Sequence, residues 1–231
     1  MSDIKWHVPF SPTIMETTVS EKFLSIVNKV GDEVLNDEEK SNKFDFSDNL
    51  VGKVHKEVKI PLEDDEQDYV NGELKDACIL YFNKMNENGH KIQLYANNNQ
   101  HFDITQKNIN ITQSWIVSQY KNEYNPWHTH SGDISAVIYL KIPEGMNNFV
   151  KKEMEDHYPS SGMIQFMTGE KQSFRKDIIN FIPEVGKFLI FPSWLKHSVF
   201  PFYVDGERRS MSFNARYTDP RKGKLLKRNK K

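Results

Sequence analysis

The stretch Asn125-Pro126-Trp127-His128-Thr129-His130-Ser131-Gly132-Asp133 sets two histidines at i and i+2 just ahead of an apolar run over residues 134–140. Side chains two apart on an extended backbone share a face. His128 and His130 therefore point the same way from a segment that the following strand holds rigid. A third histidine, His197, follows the apolar strand 188–191 through a Pro-Ser-Trp turn, a second rigid mount. Beyond it comes Arg208-Arg209-Ser210-Met211-Ser212-Phe213-Asn214. A close histidine pair, a distant third histidine and an arginine further on suggest a metal site with an anion clamp beside it.

Working outward, the last of these segments alternates. Arg208, Ser210, Ser212 and Asn214 fall on one side, and Met211, Phe213, Ala215 and Tyr217 on the other. In a small barrel whose outside packs on helices, such a polar face points into a ligand cavity. Nitrogen ligands suit zinc, copper or iron, and three protein ligands with open positions are what catalysis needs. Three histidines describe a catalytic zinc equally well. The arginine favours a site with an anionic co-substrate, because a guanidinium grips a carboxylate through two parallel hydrogen bonds. Period-2 alternation lets only one of Arg208 and Arg209 serve, and Ser210 on the same side selects Arg208.

The rest of the chain supplies the frame. Residues 4–10 alternate as an edge strand, with Pro9 excluding a central position. Ser20 caps a helix whose stripe is Phe23, Leu24, Val27, Val30, Val34 and Leu35, with Gly31 a weak point. Residues 37–43 read as a charged surface connection, and 50–60 as a loosely alternating segment. An acidic first turn over 63–68 opens a second helix with the stripe Val70, Leu74, Ala77, Cys78, Tyr81, Phe82 and Met85, stopped by Gly89. Short strands follow at 91–96, 109–120, 135–142, 162–167, 185–191 and 208–217, a pattern of sandwich or barrel. Polar stretches at 147–159 and 170–180 read as loops at its mouth.

The totals agree. Balanced charge, 31 basic against 32 acidic residues, argues against a general nucleic-acid binder. No apolar run is long enough for a membrane span, and the first residues lack a signal-peptide pattern. One cysteine fits a reducing compartment, so a cytoplasmic location is expected. Residues 1–219 are expected to form a single domain, helix-rich over 1–90 and jelly-roll over 91–219. The basic tail 220–231 is expected to be disordered.

Several segments together resemble the 2-oxoglutarate and Fe(II)-dependent oxygenases, and most closely their H-x-H branch related to prolyl hydroxylases. They are Asn125-Pro126-Trp127-His128-Thr129-His130, Val137-Ile138-Tyr139-Leu140, residues 186–199 with Phe191-Pro192-Ser193-Trp194-Leu195-Lys196-His197, and residues 206–214. The order of motifs, H-x-H, then F-P-x-x-x-x-H, then R-x-S, is more specific than any one of them. The resemblance implies an α+β, mainly β fold, a cupin-like double-stranded β-helix (jelly-roll) with N-terminal packing helices. It implies Fe(II) held by His128 and His197, with His130 where the family at large has a carboxylate, or with Asp133 reaching the metal instead. Arg208 and Ser210 match the pair that holds the far carboxylate of 2-oxoglutarate, and Tyr139 matches a tyrosine that assists. The implied reaction converts 2-oxoglutarate and O₂ to succinate and CO₂ while hydroxylating a peptide or small-molecule substrate. Trp127, Trp194 and Phe200 are expected as apolar wall near the metal. Two rivals stand beside this: a cupin-like metalloprotein without 2-oxoglutarate chemistry, and a non-enzymatic jelly-roll binding module.

Overall fold

Helix α1 (Glu21–Leu35) starts where the Ser20 hydroxyl oxygen accepts a hydrogen bond from the Phe23 N–H at 3.1 Å. A cap of this kind stabilises by about 1 kcal/mol. The Ser20 hydroxyl also donates to Glu73 Oε2 at 2.7 Å, and its N–H donates to Oε1 at 2.6 Å. The start of α1 is thereby pinned to helix α3 (Asp64–Glu87). The expected stripe of α3 is buried throughout and that of α1 at Phe23, Val27, Val30 and Val34, with Leu24 and Leu35 half-buried at its edge. Both share one apolar core with Ile116, Ile138, Phe188, Met211 and Phe213 of a sheet. Gly31 proves to be a contact rather than a weak point. A Cβ there would lie 2.9 Å from Ile116 Cδ1 and 3.2 Å from Arg209 Nη1, so the bare backbone lets α1 rest on the sheet.

This computed structural model describes residues 12–49, 51–87, 104–146, 160–170, 172–174 and 176–218. The expected strands 4–10 and 91–96, the loop 147–159 and the tail 220–231 lie outside them, as do His7 and Gly89.

Two antiparallel sheets make up the jelly-roll. The larger has the order β1 (Met15–Thr18), β8 (Lys187–Pro192), β5 (Ile134–Lys141), β10 (Arg208–Tyr217), β3 (Ile109–Gln119), β2 (Lys56–Lys59). The smaller runs β4 (Asn125–His128), β9 (Lys196–Val199), β6 (Ile164–Met167), β7 (Ile178–Phe181). The helices cover one face of the larger sheet. Its other face meets the smaller sheet through Val137, Tyr139, Leu189 and Phe191 against Ile164, Phe166 and Leu195. The mainly β architecture with packing helices is the one expected.

Two local expectations are corrected. Residues 37–43 are not a plain connection: Asp37 Oδ1 accepts from the Lys40 N–H at 3.0 Å and caps a short helix, α2 (Glu38–Lys43). The stretch 170–180 is not all loop, because Ile178–Phe181 pairs with β6. Its residues are exposed or half-buried, so backbone pairing and not side-chain burial makes it a strand. Among the described residues, no helix is long and apolar enough to cross a membrane.

Candidate metal centre

The smaller sheet brings the first two histidines together by register. His128 ends β4 directly opposite His197 on β9. His130 follows on the turn into β5, where its N–H donates to the Ser193 carbonyl at 2.9 Å. Gly132, at φ +100°, completes that turn with its carbonyl accepting from the Ser193 hydroxyl at 2.6 Å. A Cβ there would meet the Ala215 carbonyl at 2.8 Å, so the turn passes too close to β10 for any side chain.

One nitrogen from each of the three rings lies within 4.8 Å of the others. His128 Nδ1 is 2.7 Å from the Pro126 carbonyl and His197 Nδ1 is 2.9 Å from the Leu195 carbonyl. A carbonyl only accepts, so each Nδ1 carries the proton and each Nε2 keeps its lone pair for a ligand bond. His130 Nε2 sits 3.2 Å from His197 Nε2. Two nitrogens bound to one ion at about 2.1 Å each lie about 3.0 Å apart at a right angle and about 3.4 Å at the tetrahedral angle. The spacing fits a shared divalent metal. Phe191 and Phe166 hold the His197 ring, at 4.9 and 5.6 Å between centroids, and Trp115 lies 5.7 Å from His130. Burial lowers the pKa of all three histidines: to about 4 for His130 and about 3 for His197, each further depressed by His128. All three rings are therefore neutral, ligand-ready donors at neutral pH.

Asp133 is engaged elsewhere. Its Oδ2 accepts from the Tyr217 N–H at 2.7 Å, tying the turn to the end of β10. The group of converging donor atoms consists of the histidines alone among the described residues.

A cavity of about 510 Å³, its open mouth included, contains the three histidines, Arg208, Ser210 and Ser212. The two faces of β10 fall as alternation requires: Met211, Phe213, Ala215 and Tyr217 enter the helix-covered core. Arg209 leaves the cavity on that side and pairs with Glu207 through Nε and Nη2, both at 2.8 Å, and with Asp32 at 2.9 Å. Arg208 is 1% exposed. Its Nη1 donates to Gln119 Oε1, while Nε and Nη2 have no hydrogen-bond partner. The open edge is thus the one with which Arg209 grips the Glu207 carboxylate. The Tyr139 ring lies 5.1 Å from the Arg208 guanidinium carbon, and the tyrosine hydroxyl is close enough to interact with that charge without making a hydrogen bond of regular geometry. Buried, unpartnered donors beside the three histidines suit the far carboxylate of a dicarboxylate co-substrate.

Some of the site was not read from the sequence. Gln119 orients Arg208 and is itself fixed: its amide donates to Asn125 Oδ1 at 3.0 Å, and Asn125 Nδ2 donates to the Val51 carbonyl at 2.8 Å. Gln119 shares the inward period-2 row of β3 with Trp115 and Val117, the signal that would have marked it. Asn214, on the polar face of β10, is occupied by Ser135 and Gln113. Trp127 and Trp194 are exposed at 43% and 60% and do not line the cavity, nor does Phe200. Its apolar wall comes from Trp115, Val137, Ile164 and Phe191.

The jelly-roll thus converges three histidines and a buried arginine on one cavity, an arrangement able to hold a metal ion beside an anion. Residues 113–214 match the family model described as "Putative 2OG-Fe(II) oxygenase". The match takes in the strands and the turn that carry all three histidines and Arg208. AviO1 from Streptomyces viridochromogenes Tue57 shares the fold at TM-score 0.54 and 11% identity, over 90% of each chain. A prolyl hydroxylase from Trichoplax adhaerens, in complex with a hypoxia inducible factor oxygen degradation domain peptide fragment, does so at TM-score 0.51 and 14% identity. That match covers 93% of this chain and 86% of the other. An oxidoreductase of the 2OG-Fe(II) oxygenase family from Burkholderia pseudomallei aligns at TM-score 0.41 and 13% identity over 72% of this chain, which spans 64% of that one. No curated protein matches the chain.

Proposed function

We propose that His128, His130 and His197 hold Fe(II), and that Arg208, with Ser210 beside it and Tyr139 behind, takes the far carboxylate of 2-oxoglutarate. The enzyme is then a dioxygenase that hydroxylates a peptide or small-molecule substrate. The observation that carries this is the convergence of one ring nitrogen from each of three histidines and the Nε–Nη2 edge of Arg208 on a single cavity. The peptide-bound Trichoplax adhaerens enzyme, alike in fold, makes a peptide substrate one of the two classes to test. The buried Cys78 fits a reducing, cytoplasmic setting.

The metal and co-substrate, when bound, supply the oxidation of a C–H bond by O₂. The chain's own residues do the rest. Pro126 and Leu195 carbonyls fix the tautomers of His128 and His197, so the metal-binding nitrogens point inward without a proton. Gln119 Oε1 accepts from Arg208 Nη1 and so fixes that end of the guanidinium. Arg208 fixes the diacid at its unreactive end, which leaves the keto-acid end toward the histidines. Phe191, Ile164 and Val137 exclude water from that end.

The test is an anaerobic titration of the Fe(II)-loaded protein with 2-oxoglutarate, followed by visible absorption. A charge-transfer band saturating at one equivalent is the expected result, and His197→Ala is expected to lose iron and band together. Iron bound at one equivalent without any band would sink the keto-acid reading.

A further inference from the structure

We propose that Glu57 is a substrate-recognition residue, placed to hold a basic group, an amine or guanidinium, of the molecule being oxidised. The proposal rests on the cavity being the oxygenase active site. Glu57 stands on β2, the edge strand of the larger sheet. Register runs from Glu57 to Val117 on β3, to Ser210 on β10 and to Tyr139 on β5, so these four share one row. Two strand spacings put its backbone about 10 Å from that of Ser210. The residue lines the same cavity as the three histidines and Arg208, yet it is only 3% exposed.

Among the described residues its carboxylate makes no hydrogen bond and no ion pair. The one charged group acting on it is another carboxylate, Asp45; burial first, and Asp45 second, push its pKa up to about 7. Buried carboxylates ordinarily come with a cation or several N–H donors. Folding gains nothing from this one, and a glutamine would sit on β2 at lower cost. Such a group in a cleft marks a ligand contact. Arg208, the cation of the cavity, is two residues along β10 from the Glu57 row and is engaged by Gln119. With a dicarboxylate at Arg208, Glu57 is the unmatched charge of the cavity. An incoming ammonium or guanidinium supplies both the charge and the donors it lacks.

The test is calorimetry on the full chain, with Zn(II) in place of Fe(II) and 2-oxoglutarate present. Agmatine and butylamine serve as cationic probes, butanol and butyrate as neutral and anionic counterparts. Both cations are expected to bind at least tenfold more tightly than butanol, with butyrate weakest. Glu57→Gln is expected to bring the cations down to the level of butanol and to raise Tm, since it removes an unpaired buried charge. The proposal is overturned if neither cation binds, if butanol binds as well as butylamine, if Glu57→Gln leaves cation affinity unchanged, or if it lowers Tm as a purely structural residue would. The wild-type 2-oxoglutarate band reports separately on the oxygenase reading. A band without cation preference removes the role of Glu57 alone, whereas cation preference without a band overturns the oxygenase reading and with it the substrate role of Glu57, leaving only a cation site there.

Discussion

A histidine that ligates a metal must be neutral, and burial arranges this for the triad. An ordinary histidine titrates near pH 6.5, whereas His130 and His197 are held at about 4 and about 3. Between pH 6.5 and about 4 the unfolded chain takes up protons that the folded rings refuse. Stability present above pH 6.5 is therefore lost as the pH falls. Glu57 works in the opposite direction: its pKa, raised to about 7, makes its contribution greatest below the unfolded value and lost as the pH rises through 7. Thermal unfolding of metal-free protein should show Tm falling from pH 6.5 to 4.5, and the fall should be shallower in His130→Asn. An equal slope in both would show that the ring is not held neutral. The third ligand is decided by a paired substitution. His130→Ala should lose metal, while Asp133→Ala should keep it and lose about 1–3 kcal/mol of stability, because the Tyr217 N–H is left without its acceptor. Dialysis with metal analysis, run beside denaturant melts, would expose the reverse assignment.

At the scale of the element, β10 does two jobs with two adjacent arginines. Arg208 faces the cavity and Arg209 faces α1, a consequence of the strand's period of two. Arg208→Ala should weaken 2-oxoglutarate at least tenfold in the anaerobic titration and leave the iron content unchanged. Arg209→Ala should leave the co-substrate affinity of the folded protein intact. It should nonetheless lower stability, by about 1 kcal/mol, because Glu207 loses its paired hydrogen bonds while Asp32, 45% exposed, keeps Lys141. Exchange of these two phenotypes would place the clamp on the wrong face of the strand. The stripes of α1 and α3 and the two faces of β10 were legible because they are periodic. The cap of α2 and the pairing of β7 were not, since neither is announced by a repeating apolar pattern.

At the scale of the molecule, the site spans both sheets. His128 and His197 come from the smaller sheet, Arg208 from the larger, and His130 from the turn that joins them. Ligands that bridge such parts stabilise the folded state by mass action, by about 2.7 kcal/mol at a hundredfold excess over Kd. Tm should therefore rise with Mn(II), and rise again when 2-oxoglutarate follows. 2-Oxoglutarate without metal should move it far less; an equal shift would mean that the diacid binds independently of the histidines. From the sequence alone came a β-rich chain with packing helices, the three histidines as candidate ligands and the alternation that sets Arg208 and Arg209 on opposite faces, while the jelly-roll was implied by the resemblance of its motifs. The alternation and the helix stripes depend on residue type and spacing along one element, which local sterics fix. Only the tertiary structure decided that Asp133 ties down β10, that Gln119 and Asn125 steady the arginine, and that Glu57 faces the cavity without a partner. Those facts turn on which strands lie side by side, and cross-strand neighbours many residues apart leave no period in the chain to be read.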